Sequence, residues 1–121
     1  MPVKKILVVD DSPTERHVLT EALRKAGYHV VTATNGEQAI DLAKSELPDL
    51  ILMDVVMPGM NGYQATRTIT RDEATRDIPV IMCTSKGQET DKIWGIRQGA
   101  NDYLVKPIDA SALLAKIAAL G

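Results

Sequence analysis

Three carboxylates, a hydroxyl and an ammonium each follow a short apolar run in this chain: Asp10 and Asp11 after ILVV, Asp54 after LILM, Thr84 after VIMC, Lys106 after DYLV. A carboxylate such as Asp54, preceded by four apolar residues, is costly to bury unless a cation, a metal or hydrogen-bond donors lie nearby. Three acids gathered together repel one another and bind protons more tightly unless a cation offsets them. Hard oxygen donors favour magnesium, which takes few protein carboxylates and keeps its waters; the spacing of a calcium-binding EF-hand is absent. A lysine adds a point charge suited to a phosphoryl oxygen. The chemistry these residues predict is phosphoryl transfer onto a carboxylate, with Asp54 as nucleophile and an acyl phosphate as product. Thr84 then donates its hydroxyl to a phosphoryl oxygen and draws the following loop inward.

Bringing such residues together requires a fold in which the apolar runs all end on one side. Five runs alternate with segments of helical spacing, which implies a parallel sheet with helices on both faces. In such sheets the carboxyl edge of the strands is where ligands bind. The first run, Ile6 to Val9, leads into Ser12-Pro13-Thr14-Glu15, with Ser12 as N-cap, Pro13 at the first helical position and Glu15 as the reciprocal partner of a capping box. Val18, Leu19, Ala22, Leu23 and Ala26 keep helical spacing up to a stop at Gly27. A second strand is expected over His29 to Ala33, and a second helix from Asn35-Gly36 with Ala39, Ile40, Leu42 and Ala43 inward, closed by Pro48. The central strand, Leu50 to Asp54, runs into a loop stiffened by Pro58 and loosened by Gly59 and Gly62. Further helices are predicted from Tyr63 to about Arg71, from near Gln88 to Gln98 with Gly99 as terminator, and from Asp109 with Leu113, Leu114, Ile117 and Leu120 as its buried stripe. A strand over residues 79–84 and another over Asp102 to Val105 complete the set.

At 121 residues, 45% hydrophobic and 25% charged, the chain is expected to form one globular domain over residues 1–121 with no output domain. Its amino-terminal run meets acids after five apolar residues, which argues against a signal peptide and for a cytoplasmic address. No apolar run is long enough to cross a bilayer. A net charge of -2 with interspersed signs gives no footprint for nucleic acid. The one cysteine, Cys83, reads as a buried small hydrophobe, and neither His17 nor His29 reads as a ligand.

Five separated signals, VVDDS, LMDVVMPGMNG, the Thr84-Ser85 pair, DYLVKP and the spacing between them, resemble the CheY-like receiver domains of two-component response regulators over essentially the whole chain. The resemblance implies the flavodoxin-like doubly wound (βα)5 sandwich with strand order 2-1-3-4-5. It makes Asp54 the phosphoacceptor, with magnesium held by Asp11, Asp54 and the backbone carbonyl of Val56, and with Asp10 in the outer shell. Thr84 becomes the switch hydroxyl, Lys106 the partner of the phosphoryl group, Tyr103 the switch aromatic, and Lys106-Pro107 a cis peptide bond. It also implies a sensor histidine kinase of chemosensory, CheA-like type as donor, a protein target on the face of the fourth helix, fifth strand and fifth helix, and a monomer that catalyses only its own phosphorylation and dephosphorylation. Within the receivers, DDSPTE, GYQATR and TSKGQETDKIWGIRQGANDYLVKPID are most similar to the PilH-type regulators of type IV pilus motility.

Ile93 and Ile96 are placed to face inward on the helix near 88–98, which turns Trp94 outward as a partner contact. Val56 cannot orient a water and Lys86 can shield or contact the phosphoryl group, so autodephosphorylation that is not among the fastest is expected. Other functions on this architecture fit less well. A magnesium-dependent phosphohydrolase wants a second acid two residues after the nucleophile, where Val56 stands. A flavodoxin-like binder wants a phosphate-cradling loop where DDSPTE stands. A receiver that drains phosphoryl groups from a sister regulator, or one that binds partners without phosphorylation, remains open on the sequence.

Overall fold

The computed structural model describes residues 3–84 and 96–120. Strands β1 (Lys5–Val9), β2 (His29–Ala33), β3 (Leu50–Asp54), β4 (Val80–Thr84) and β5 (Asp102–Val105) form one parallel sheet in the order β2-β1-β3-β4-β5. Helices α1 (Pro13–Lys25), α2 (Gly36–Glu46), α3 (Gly62–Arg71) and α4 (Ala110–Leu120) cover its two faces. The expected helix near 88–98 falls mostly outside the described residues; residues 96 and 97 are helical, and Gly99 follows at φ 105°.

Strand alternation divides the core in two. Leu7, Val9, Ile51, Met53, Val80 and Met82 pack against Ala39 and Ala43 of α2 and Ala65 and Ile69 of α3. Ile6, Val8, Leu50, Leu52, Ile81 and Cys83 point the other way, onto Leu19 and Leu23 of α1 and Leu113 and Ile117 of α4. Each large aliphatic side chain buried in this way stabilises the fold by about 1.5–3 kcal/mol. β1 and β3, flanked by strands on both sides, are buried from Ile6 to Val9 and from Leu50 to Asp54, whereas β2 at the edge buries only Val30 and Ala33.

The caps agree with the sequence in part. Ser12 caps α1 by accepting from the Glu15 N–H, with Pro13 at the first helical position. The Glu15 carboxylate does not close the expected capping box; it reaches Lys106 instead. A full box stands at α3, where Asn61 and Gln64 bond each other's backbone N–H groups.

Four apolar expectations are corrected. Val18 is 60% exposed, because the buried stripe of α1 runs through Leu19, Thr20 and Leu23 and leaves the residue before Leu19 facing solvent. Ala26, expected on the same stripe, is the exposed C-cap. Ile96 is 47% exposed rather than inward, which removes part of the reasoning that turned Trp94 outward; Ile93 and Trp94 themselves lie outside the described residues. Leu120, at the end of α4, is exposed too.

Candidate functional site

Parallel strands deliver their carboxyl ends to one edge, and there β1, β3 and the segment after β5 bring Asp10, Asp11, Asp54 and Lys106 together. The Lys106 Nζ lies 2.7 Å from Asp54 Oδ1 and 3.6 Å from Asp10 Oδ2. One carboxylate oxygen from each of Asp10, Asp11 and Asp54 falls within 4.8 Å of the others. Asp10 is 1% exposed and Asp54 4% exposed, while Asp11 faces solvent at the mouth.

Local structure fixes each group. Asp10 Oδ1 accepts from the Ser12 N–H at 2.9 Å, and the Asp10 carbonyl accepts from Arg16 Nη1 at 2.9 Å. These bonds tie the first acid to the start of α1. On the other side, α3 begins directly against β3. Gly62 N–H donates to the Val55 carbonyl at 2.9 Å, and a Cβ at position 62 would overlap the Asp54 carbonyl oxygen. The glycine is therefore required for close approach. Gly59, at φ 74°, is the residue of this loop that uses the conformational freedom expected of both. The Lys106-Pro107 peptide bond is cis, as expected.

Burial dominates the electrostatics. It pushes the Asp10 carboxyl up to about 6, the Ser12 N–H opposing and the charge of Asp54 adding to the shift. It also raises Asp54, against the hydrogen bond and charge of Lys106. For Lys106 burial acts against the charged form, but hydrogen bonds to Asp54 and Glu15 outweigh it and hold the ammonium above its ordinary range. Lys106 thus stays charged while two buried carboxylates compete for protons. Asp10 Oδ2 is buried without a hydrogen-bond partner and points into the cluster. An orphaned, buried carboxylate oxygen in an all-oxygen donor set fits a hard divalent cation such as magnesium.

Thr84, at the end of β4, is fully buried, and its hydroxyl donates to the Leu104 carbonyl of β5 at 3.4 Å. Its proton is thus turned toward the neighbouring strand. Tyr103 is half-buried against the α2–α3 core. Val56 is 70% exposed just past Asp54. Ser85, Lys86 and Trp94 lie outside the described residues. Cys83 is buried and its thiol is pushed up to about 12 by that burial, which suits a packing role.

The residue that sequence reasoning missed at this site is Glu15, whose Oε2 stands 2.7 Å from Lys106 Nζ. The hydrogen bond lowers the Glu15 carboxyl below its ordinary range. A glutamate in the first turn of a helix already has a local explanation, so nothing in the sequence pointed across 91 residues to Lys106. Beside this pair lies a cleft of about 170 Å³ between α1 and the segment before α4, lined by Thr14, Val18, Leu19, Pro107 and Ile108.

The chain is 57% identical over 116 residues to the protein PilH of Pseudomonas aeruginosa, covering 96% of each. It is 44% identical to the phosphate regulon transcriptional regulatory protein PhoB of the same organism, of which it spans about half. Among solved structures, the chemotaxis protein CheY4 of Vibrio cholerae superposes with a TM-score of 0.89 at 33% identity, covering 95% of this chain and 96% of that one. The receiver domain of the sensor histidine kinase PA1611 from P. aeruginosa, with a magnesium ion coordinated in its active-site cleft, superposes with a TM-score of 0.88 at 36% identity, covering 95% and 94%. The model of the response regulator receiver domain matches residues 6–118, and the chain belongs to that family.

Proposed function

We propose that this chain is a phosphorylation-switched signalling module whose phosphoacceptor is Asp54. The observation that carries the reading is the Lys106 ammonium held 2.7 Å from Asp54 Oδ1 beside two further acids. An oxygen of the Asp54 carboxylate attacks the phosphorus of phosphohistidine on a CheA-type kinase. A P–O bond forms as the P–N bond breaks, and the departing imidazole nitrogen keeps the electron pair. Lys106 holds an oxygen of the phosphoryl group, and Thr84 exchanges its bond to the Leu104 carbonyl for another phosphoryl oxygen. Asp11, Asp54 and the Val56 carbonyl would hold Mg2+, with Asp10 in its outer shell. When bound, the ion offsets the negative charge gathered on the phosphoryl oxygens.

Release of the Leu104 carbonyl by Thr84 couples the site to β5, the strand that carries Tyr103. Tyr103 and Trp94 then alter the face presented to a protein target, without nucleic acid or membrane. The similarity to PilH supports an output in type IV pilus motility, with residues 1–121 acting as one receiver unit. Incubation with acetyl phosphate and Mg2+ followed by intact-protein mass measurement tests the chemistry. One added phosphoryl group on the wild type, lost in Asp54→Asn, is expected. An unmodified wild type, or equal modification of Asp54→Asn, sinks the reading.

A further inference from the structure

Lys106 serves two masters. An ammonium has three N–H donors; here one lies against Asp54 Oδ1 and another against Glu15 Oε2, each at 2.7 Å. Glu15 comes from the first turn of α1, is half-exposed, and stands outside the set of Asp10, Asp11 and Asp54 whose oxygens cluster. Its pairing brings a fourth carboxylate to a site where, among the described residues, Lys106 is the cation that pairs with Asp10, Glu15 and Asp54, the nearby Arg16 guanidinium being bonded to the Asp10 backbone carbonyl. One ammonium is thus shared among several carboxylates, and Asp10 Oδ2, 3.6 Å from Lys106 Nζ, is left without a hydrogen bond.

We infer that Glu15 is a positioning residue that restrains phosphorylation by occupying Lys106 until a phosphoryl group displaces it. The inference rests on the reading of Asp54 as phosphoacceptor. An incoming phosphoryl group meets the Glu15 charge at close range and needs the same ammonium. Glu15 therefore opposes both the approach of an anionic donor and the transfer of Lys106 onto the phosphoryl oxygens. It acts through Lys106 and does not touch the reacting atoms in the resting protein.

Glu15→Gln keeps the length and an acceptor oxygen but removes the charge. The second-order rate of phosphorylation by acetyl phosphate with Mg2+ is expected to rise about three- to tenfold, the scale of one charge at this range in a partly solvated site. The gain should shrink as salt rises, since Glu15 is half-exposed and its field is screened. Glu15→Asp keeps the charge and should stay nearer to wild type than Glu15→Gln does. In metal-free protein, the hydrogen-bonded Lys106 ammonium should give a 15Nζ signal that exchanges with water faster in Glu15→Gln. An unchanged or lower rate in Glu15→Gln, equal acceleration by Gln and Asp, a salt-independent gain, or an unaltered ammonium signal would each overturn the inference. Failure of the underlying reading is separate, because the wild type would then take up no phosphoryl group at all.

Discussion

On the α2–α3 face the helices meet the sheet through Ala39, Ala43 and Ala65 together with Ile69, whereas on the α1–α4 face they do so through Leu19, Leu23, Leu113 and Ile117. Small residues let a helix sit close enough for backbone to touch backbone. Gly62 at the start of α3 lies against the Asp54 carbonyl, and Gly36 at the start of α2 lies against Met60 in the loop after β3. The opposite face fills its layer with large side chains, and a cleft lies there beside Lys106. The backbone of Asp54 is thus set from one side of the sheet. Glu15, at the start of α1, and Lys106, before α4, reach it from the other through long, rotatable side chains. The first arrangement tolerates almost no added atoms, and the second tolerates motion.

The sharpest way to break this comparison is Gly62→Ala. A Cβ there has no flexible neighbour to push aside, only the Asp54 carbonyl and the Val55 Cα at 3.0 Å. A loss of roughly 4 kcal/mol or more is expected, at the extreme of single substitutions, together with loss of phosphorylation in whatever folded protein remains. Urea unfolding and the acetyl phosphate assay check both. A stable, fully active variant would mean that the close contact is dispensable.

Leu113→Ala probes the other face. Its side chain is almost fully buried between α4 and the sheet, so a cavity should cost about 2–5 kcal/mol. Here stability and chemistry should separate, because Lys106 and Asp54 do not rest on Leu113. The folded fraction should be phosphorylated at close to the wild-type rate.

How much of this was legible in the sequence depends on how local the cause is. The convergence of Asp10, Asp11, Asp54 and Lys106 follows from parallel strands alone, so apolar runs ending in polar residues were enough to find it. The role of Gly62 was visible as a glycine but not as a close approach, since a loop glycine has a conformational explanation ready to hand. Glu15 was assigned to a capping box that exists instead at Asn61 and Gln64. Both positions satisfy the pattern, and only the distant Lys106 decides which glutamate or glutamine stays home. On α1, Leu19 and Leu23 fix the stripe only approximately. Burial of Thr20 rotates it by enough to expose Val18, and a polar threonine gives periodicity no reason to include it.

The third prediction concerns the acid held between the two faces. Asp10 has a raised carboxyl, about 6 when folded against 3.8 ordinarily, so the folded protein binds its proton more tightly than the unfolded chain. Below about pH 4 both states are protonated and the group is neutral in effect. As pH rises through 4 to 6 the unfolded chain ionises first, and stability falls by about 2–3 kcal/mol before levelling off. In metal-free protein, Asp10→Asn should therefore be the more stable form at pH 7 and lose this part of the pH dependence. Thermal unfolding of both proteins from pH 4 to pH 7 measures it. An Asp10→Asn variant less stable than wild type at pH 7 would mean that the carboxylate is better compensated than its orphaned oxygen indicates.

The smallest expected effect is Val18→Ser, and it sharpens the contrast from the tolerant side. Val18 sits on α1 one residue before the buried Leu19, at the rim of the cleft, and is 60% exposed. Removing its methyls forfeits little burial, and serine and valine have similar helix propensities, so the cost should stay within about 0.5 kcal/mol. Had the helix been rotated so that Val18 faced the sheet, the same change would cost about 1–3 kcal/mol through a buried, unpaired hydroxyl. The measured value therefore distinguishes two rotations of α1. Because Glu15 lies on the same helix, three residues before Val18, it also tests the rotation that carries the glutamate to Lys106.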